Sequence, residues 1–261
     1  MKLASANINI MVKACRRASK ILIRDFGEIE NLQVSLKGPG DFVTMSDKNV
    51  EKILIEELNK ARPNYSILSE EIGEIKNDDE FKWIIDPIDG TANFMHGIPH
   101  FAISIGLEHK KEIVSGIIYD PIKDEMFLAE KGNGSYLNNQ RIRVSSRKEL
   151  KNCIIFTGGP KHNSDDKELT LKEQKNFTDK VFIPIRKMGS ASLDIAYVAA
   201  GRCDGFWQRN LNYWDVAAGI ILVKESGGFI TDFSGKNAYI ENKTIIASNS
   251  KINKEMIEVL K

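Results

Sequence analysis

Several things are scarce in this chain, and each scarcity removes a class of function. Cysteine occurs only at positions 15, 153 and 203 of the 261, an odd number with no CxxC pair. Neither a disulfide framework nor a cysteine zinc site follows from Cys15, Cys153 and Cys203, so a reducing, cytoplasmic setting is the expectation. Long apolar runs are missing too. The longest, Val216 to Val223, is well short of the roughly 20 residues a membrane helix needs, and the N-terminus shows no uninterrupted apolar stretch of the signal-peptide kind. The expectation is a soluble, unexported protein without membrane contact. Charge of one sign is not in excess: 37 basic against 36 acidic side chains leave a net charge of +1. That balance gives no global electrostatic case for nucleic acid, and a small neutral or anionic ligand fits better.

Familiar catalytic signatures are also absent. There is no Walker A segment, GxSxG or HExxH, and GNG at 132–134 lacks the third glycine of a dinucleotide fingerprint. His96 and His100 are four apart, but Pro99 lies between them and breaks the helix that a two-histidine zinc face requires. No internal repeat or low-complexity tract occurs.

What remains is an ordinary globular composition, 42% hydrophobic and 28% charged, which can bury a core and argues against disorder. Ile8, Met11, Cys15, Ala18 and Leu22 recur at helical spacing. Lys13, Arg16, Arg17, Lys20 and Arg24 lie largely elsewhere, which predicts an amphipathic helix ending near Gly27. Its basic face reads as solvated, with RNA or anionic lipid as the alternative contact. A second helix starts near Ser46 or Asp47 and stops before Pro63. Strands are expected at Tyr65–Leu68, Lys82–Ile85, Ala102–Leu107, Ile113–Tyr119 and Glu125–Ala129, several at hairpin spacing that implies antiparallel pairing. His109-Lys110-Lys111-Glu112 is one such turn, and Asn138-Asn139 marks another. Polar residues dominate 158–170, including Lys161 and His162, and predict a mobile loop at the seam between two halves, about 1–150 and 151–261. Helices at Ala191–Ala200 and Trp214–Glu225 then alternate with strands near Gly205–Gln208, Phe229–Asp232 and Thr244–Ala247, before a terminal helix.

The segment WIIDPIDGT, Trp83 to Thr91, carries the strongest chemical signal. Trp83, Ile84 and Ile85 read as a buried strand that delivers Asp86 at its end. Pro87 removes a donor and Asp89-Gly90 is a turn pair, so the backbone bends after Asp86 and returns Asp89 toward it. Two carboxylates in one small volume are costly without a cation, and Mg²⁺ prefers oxygen ligands. An ordinary solvated Pro-x-Asp-Gly turn is the alternative for these residues alone. Three further acids stand where an element begins or ends: Asp47, Glu70 and Asp215. Glu70 follows the strand YSIL; Asp47 and Asp215 each precede a helix, where Asp is also simply a favoured N-cap.

Five segments together resemble the inositol monophosphatase family in its bacterial form. They are GDFVTMSD at 40–47, ILSEE at 67–71, WIIDPIDGTANF at 83–94, GSASLDIAYVAAG at 189–201 and YWDVAAGIILVKESGG at 213–228. They fall in the family's order over most of the chain. The resemblance implies a layered αβαβα sandwich of α/β class, one domain over 1–261 with the active site between its halves, and a homodimer inhibited by lithium. It implies that Glu70, Asp86, Asp89, Asp215 and the carbonyl of Ile88 bind catalytic Mg²⁺, and that Asp47 and Thr91 position the attacking water with Glu70. Substrate would contact Asp89, Gly90, Thr91, Ala191, Gln208 and Asp215. Phosphate-monoester hydrolysis is among the slowest uncatalysed reactions. Paired metals about 3.5 to 4 Å apart meet that barrier by activating water and neutralising the phosphate oxygens.

Ala92 directly after DGT favours the inositol branch over the nucleotide and histidinol phosphate branches, which typically carry a charge there. One departure stands out. Where the family commonly has a glutamate that accepts from inositol hydroxyls, this chain has Gln208 followed by Arg209. A neutral amide accepts more weakly than a carboxylate, and Arg209, if it reached the pocket, would suit a sugar phosphate or bisphosphate such as fructose 1,6-bisphosphate. A role as a binding partner in transcription or ribosome biogenesis is the alternative of a different class, with the basic face of the first helix as its one sequence hint.

Overall fold

The computed structural model describes residues 5–28, 34–38, 41–77, 80–159, 166–181 and 183–261. Lys161 and His162 fall outside them. Among the described residues the first half contains α1 (Ala6–Gly27), β1 (Val34–Gly38), β2 (Asp41–Thr44), α2 (Met45–Ala61), β3 (Ser66–Ser69), β4 (Gly73–Ile75) and β5 (Phe81–Asp89). There follow α3 (Thr91–Met95), β6 (Ala102–His109), β7 (Glu112–Asp120), β8 (Glu125–Glu130), β9 (Gly134–Leu137) and β10 (Gln140–Arg141). The second half contains β11 (Ile155–Thr157), α4 (Lys167–Lys180), β12 (Ile185–Arg186), α5 (Ala191–Ala199) and β13 (Gly205–Arg209). It ends with α6 (Tyr213–Glu225), β14 (Phe229–Thr231), β15 (Thr244–Ser248) and α7 (Asn253–Leu260).

Strand alternation sorts these elements into five layers. Successive side chains of a strand point to opposite faces. In β5, Trp83 and Ile85 join a core with Met11 and Leu22 of α1 and Leu54 of α2, while Ile84 joins a different core with Ala217 and Ile221 of α6. The sheet β10-β9-β8-β7-β6-β5-β3-β4 thus lies between α1/α2 and α6. The second sheet, β12-β11-β13-β15-β14, repeats the logic. Phe206 and Ala247 face the central core with α5 and α6; Trp207 and Ile246 face a third core with Phe177 of α4 and Met256 of α7. The order is helix, sheet, helix, sheet, helix, the expected αβαβα sandwich.

Glycines bring the central helix close to the first sheet. A Cβ at Gly116 would lie 2.9 Å from the backbone of Ala218, and one at Gly106 would lie 3.0 Å from Cβ of Ala217. Small residues on both sides seat α6 against β6 and β7, which fixes where its first turn, bearing Asp215, emerges.

Two points differ from or extend the expectations. The strands expected at Tyr65–Leu68 and Lys82–Ile85 are β3 and β5, and they pair in parallel, with Ser66 opposite Lys82. The intervening β4 folds back on the other side of β3, so the chain enters β5 in the original direction. The polar stretch also ends earlier than expected, because 167–170 open α4. That helix buries Thr170, Glu173 and Phe177, a face with a single apolar residue that hydrophobic periodicity cannot register. By contrast, both two-residue turns are as read. Lys110 and Lys111 have φ of 50° and 65°, and Asn138 and Asn139 have 44° and 71°, as a type I′ hairpin turn requires.

Candidate active site

The corner at 86–91 forms because β5 absorbs a proline. Pairing with β6 is regular to Asp86 opposite Ser104 and resumes at Asp89 opposite Ala102, so the strand carries one extra residue. Pro87, which has no N–H to give, sits in that bulge. The strand therefore continues to Asp89 rather than ending at Asp86 as expected, and the bulge re-aims the two carboxylates. Ile88 N–H donates to Asp86 Oδ1 at 3.1 Å. Gly90 follows with φ of 99°, and a Cβ there would lie 3.1 Å from the carbonyl oxygen of His100 and 3.2 Å from that of Gly189. Only glycine meets both conditions without strain. Thr91 then opens α3, and its hydroxyl contacts the Ile88 carbonyl oxygen at 2.9 Å and Asp47 Oδ1 at 3.2 Å.

The two helix-associated acids are not N-caps. Asp47 is the third residue of α2 and buried; Asp215 is the third residue of α6, whose N-cap is Asn212. Asp215 Oδ2 accepts the Asn212 N–H at 2.7 Å, the arrangement of an N3 acid reaching back to its cap. Glu70, half-buried, follows the last residue of β3.

Asp86 registers the assembly. It is 1% exposed, and its carboxyl is held well above the usual range, first by burial and then by the negative charges of Glu70, Asp89, Asp215 and Asp47. Five acids from β5, α2, α6 and the turn after β3 thus share one electrostatic neighbourhood. Among the described residues no three His, Cys, Asp or Glu side chains approach closely enough to make a finished ligand set. The two observations operate at different ranges, since Coulomb coupling extends beyond ligation distance. A cation placed among these acids would relieve the charge that raises Asp86.

Sequence reasoning missed the groups that hold this corner. Asp89 Oδ2 accepts from Ser190 Oγ at 2.6 Å, Ser192 N at 2.6 Å and Ser192 Oγ at 2.5 Å. Ser190 also caps α5 by accepting the Leu193 N–H. Asn93 Nδ2 lies 2.8 Å from the carbonyl oxygens of both His100 and Met188, joining the two halves. The signal was present in GSAS, a helix-start pattern, but serine at a helix start reads as a cap and nothing more. His100 is not part of a zinc pair with His96. It is buried 3.6 Å from Asp194 of α5, its imidazole pKa lowered by burial and that of Asp194 raised by burial and by Asp89.

The candidate substrate residues divide. Ala191 is the first residue of α5 and packs in the central core. Gln208 lies on the same face of β13 as Phe206, its amide against Gly158; a Cβ at Gly158 would lie 2.2 Å from it. Arg209 occupies the opposite face of the strand. It bonds Glu173 of α4 and stacks over Phe233, so the reading that offered Arg209 to a second phosphate is corrected.

Comparison with known proteins identifies the family. The family model described as the inositol monophosphatase family matches residues 4–260. The chain is 50% identical over 257 residues to a protein of Rhizobium meliloti (strain 1021) named inositol-1-monophosphatase, covering 98% of this chain and 96% of that one. It is 39% identical over 254 residues to the Nus factor SuhB of Escherichia coli (strain K12), covering 96% and 94%. The solved structure of the extragenic suppressor protein suhB from Bartonella henselae superposes with a TM-score of 0.95 at 50% identity, covering 98% and 99%. With a family model spanning nearly its whole length and half of its residues shared with a named member, the chain belongs to the inositol monophosphatase family of phosphatases.

Proposed function

We propose that this protein hydrolyses a small phosphate monoester, with inositol 1-phosphate as the leading substrate, using Mg²⁺. The observation that carries the reading is Asp86, a buried carboxyl with four other acids around it. Such a group either keeps a proton or needs a cation to offset its charge, and an all-oxygen donor set suits a hard divalent ion. Glu70, Asp86, Asp89, Asp215 and the carbonyl of Ile88 would hold the metal. When bound, Mg²⁺ acidifies water and neutralises the transferring and leaving oxygens.

The chain's own groups supply the rest. The Thr91 hydroxyl, 3.2 Å from Asp47 Oδ1, orients the attacking water together with Asp47 and Glu70, and Asp47 accepts the proton. The backbone at Asp89, Gly90 and Thr91 receives the phosphate, while Ala191, Gln208 and Asp215 face the hydroxyls of the alcohol. Engagement of Arg209 with Glu173 takes that side chain away from a second phosphate and favours a monophosphate over fructose 1,6-bisphosphate. A cytoplasmic homodimer sensitive to lithium belongs to the same proposal. No helix among the described residues is long and apolar enough to cross a membrane.

A role in transcription is the second reading, on the strength of relatives named as Nus factors. The basic face of α1 is partly offset: Lys13 and Arg17 share Glu57, Arg16 pairs with Asp124 and Arg24 with Asp25, so three acids stand against its five basic side chains. Phosphate release measured across polyol and sugar phosphates, with and without Mg²⁺, tests the proposal. Turnover led by inositol 1-phosphate is expected; no release from any of them sinks it, and rescue of a deletion strain by Asp86→Asn would favour the binding role.

A further inference from the structure

Glu51 is a buried acid outside the proposed ligand set. It sits one turn beyond Asp47 on α2, the i, i+4 position that places both on one helix face, and it is 2% exposed. A single oxygen, Oε1, accepts three donors from the segment that carries Glu70. They are the hydroxyl of Ser69, itself fully buried, the Glu71 N–H at 3.0 Å and the Ile72 N–H at 3.3 Å. The bonds flank Glu70 on both sides, at 69 and at 71–72. The ladder of β3 with β5 stops at Ser69 opposite Ile85, and that of β3 with β4 closes at Ser69 opposite Gly73, so the sheet fixes the two ends of the loop at 70–72 and the bonds to Glu51 fix its path between them. A surface role for Glu51 would require exposure, and a generic core position would not call for a carboxylate, whose burial is costly unless it is fully bonded.

We infer that Glu51 is a positioning residue for metal binding: its Oε1 fixes the turn at 69–72 and thereby aims the Glu70 carboxylate at the Asp86 corner. Asp47 and Glu51 then make α2 a two-point brace, one point reaching Thr91 and the other the Glu70 turn. The inference rests on the proposed metal site. The relevant property of Glu51 is acceptor geometry rather than charge. A glutamine offers the same oxygen at the same reach without the charge, while an aspartate keeps the charge and falls one methylene short.

The test is calorimetric titration of Mn²⁺ alone into folded protein, for the wild type, Glu51→Gln, Glu51→Asp and Ser69→Ala, with thermal unfolding recorded in parallel. Glu51→Gln is expected to bind Mn²⁺ within about threefold of the wild type, and Glu51→Asp about 10- to 100-fold more weakly, the range for loss of a group that orients a metal ligand. Ser69→Ala, which removes one of the three donors, should fall between them. Equal affinity for Glu51→Asp and the wild type would overturn the inference, as would a drop in Glu51→Gln as large as in Glu51→Asp, because the glutamine keeps the acceptor oxygen at the same reach. A change confined to the unfolding temperature, with Mn²⁺ affinity unchanged, would reduce Glu51 to a structural role and also overturn it. Wild-type protein that takes up no Mn²⁺ would instead refute the metal site itself, a result distinguishable from the others. If Glu51→Asp does not fold, the comparison of Ser69→Ala with Glu51→Gln decides, since both keep the acceptor and only the former removes a donor.

Discussion

Asp86 and Gln208 each lie near the end of a strand, one in each sheet, and their surroundings differ. Around Asp86 the constraints accumulate: a bulge at Pro87, a glycine at φ of 99°, a hydroxyl bridge to Asp47, and three donors on Asp89 from α5. Gln208 instead packs against Gly158, and its neighbour Arg209 turns to the other face to bond Glu173. Charge that must meet a cation at fixed geometry needs many fixed partners. An alcohol with several hydroxyls can be held by fewer groups, and there one substitution changes preference without dismantling the site.

The largest effect should come from the constrained side. Asp86→Asn is expected to lower kcat by at least about 100- to 1,000-fold, the scale on which a preorganised electrostatic group is lost, while the protein stays folded. Stability supplies an independent reading. Burial and neighbouring acids raise the Asp86 pKa in the folded state, so above the ordinary aspartate range the native protein holds a proton that the unfolded chain releases. Metal-free protein therefore loses stability as pH rises from about 4 through the raised pKa. Asp86→Asn should flatten that slope, leaving the share contributed by Asp194, which is raised in the same direction. Thermal unfolding against pH in chelator measures it; an unchanged slope would remove Asp86 as the centre of the cluster.

An intermediate effect is expected where α5 meets the corner. Ser190→Ala combined with Ser192→Ala removes two of the three bonds to Asp89, leaving the Ser192 N–H. Activity should fall about 10- to 100-fold, and the Mg²⁺ concentration for half-maximal rate should rise. Loss of stability alone, with Mg²⁺ dependence intact, would show that these serines serve only as helix caps.

The smallest effect belongs to the other wall and sharpens the contrast. Gln208→Glu should lower KM for inositol 1-phosphate by about five- to tenfold, the increment of a charge-assisted over a neutral hydrogen bond, with little change in kcat. Arg209→Gln should leave substrate preference alone and lower Tm by several degrees, because Glu173 is then buried without its cation. A change in substrate preference in Arg209→Gln would place Arg209 in the pocket after all.

This contrast also explains what the sequence revealed. Acids attached to strong punctuation were legible: Asp86 and Asp89 beside Pro87 and Gly90, and Asp215 at the start of an apolar helix. Layering was legible too, since Trp83, Ile84 and Ile85 divide between two cores by strand alternation. Hidden from it were residues whose importance lies in a partner distant in the chain. Ser192 reaches Asp89 across 103 positions, and nothing local to GSAS announces that bond. The helix α4 escaped because its buried face is largely polar, and the parallel pairing of β3 with β5 escaped because β4, the three-residue strand that turns the chain back between them, is too short to register. Asp47 and Asp215 were misplaced by three residues, from cap to first turn, because an acid stabilises either position.

Phosphate release from inositol 1-phosphate, followed while Mg²⁺ is titrated into chelator-stripped wild type and Asp86→Asn, bears most directly on the metal corner. Metal-assisted hydrolysis built on that corner predicts saturable release in the wild type that vanishes on chelation and is lost in the variant at every Mg²⁺ concentration. Release that persists through chelation, or that survives the substitution undiminished, would contradict it.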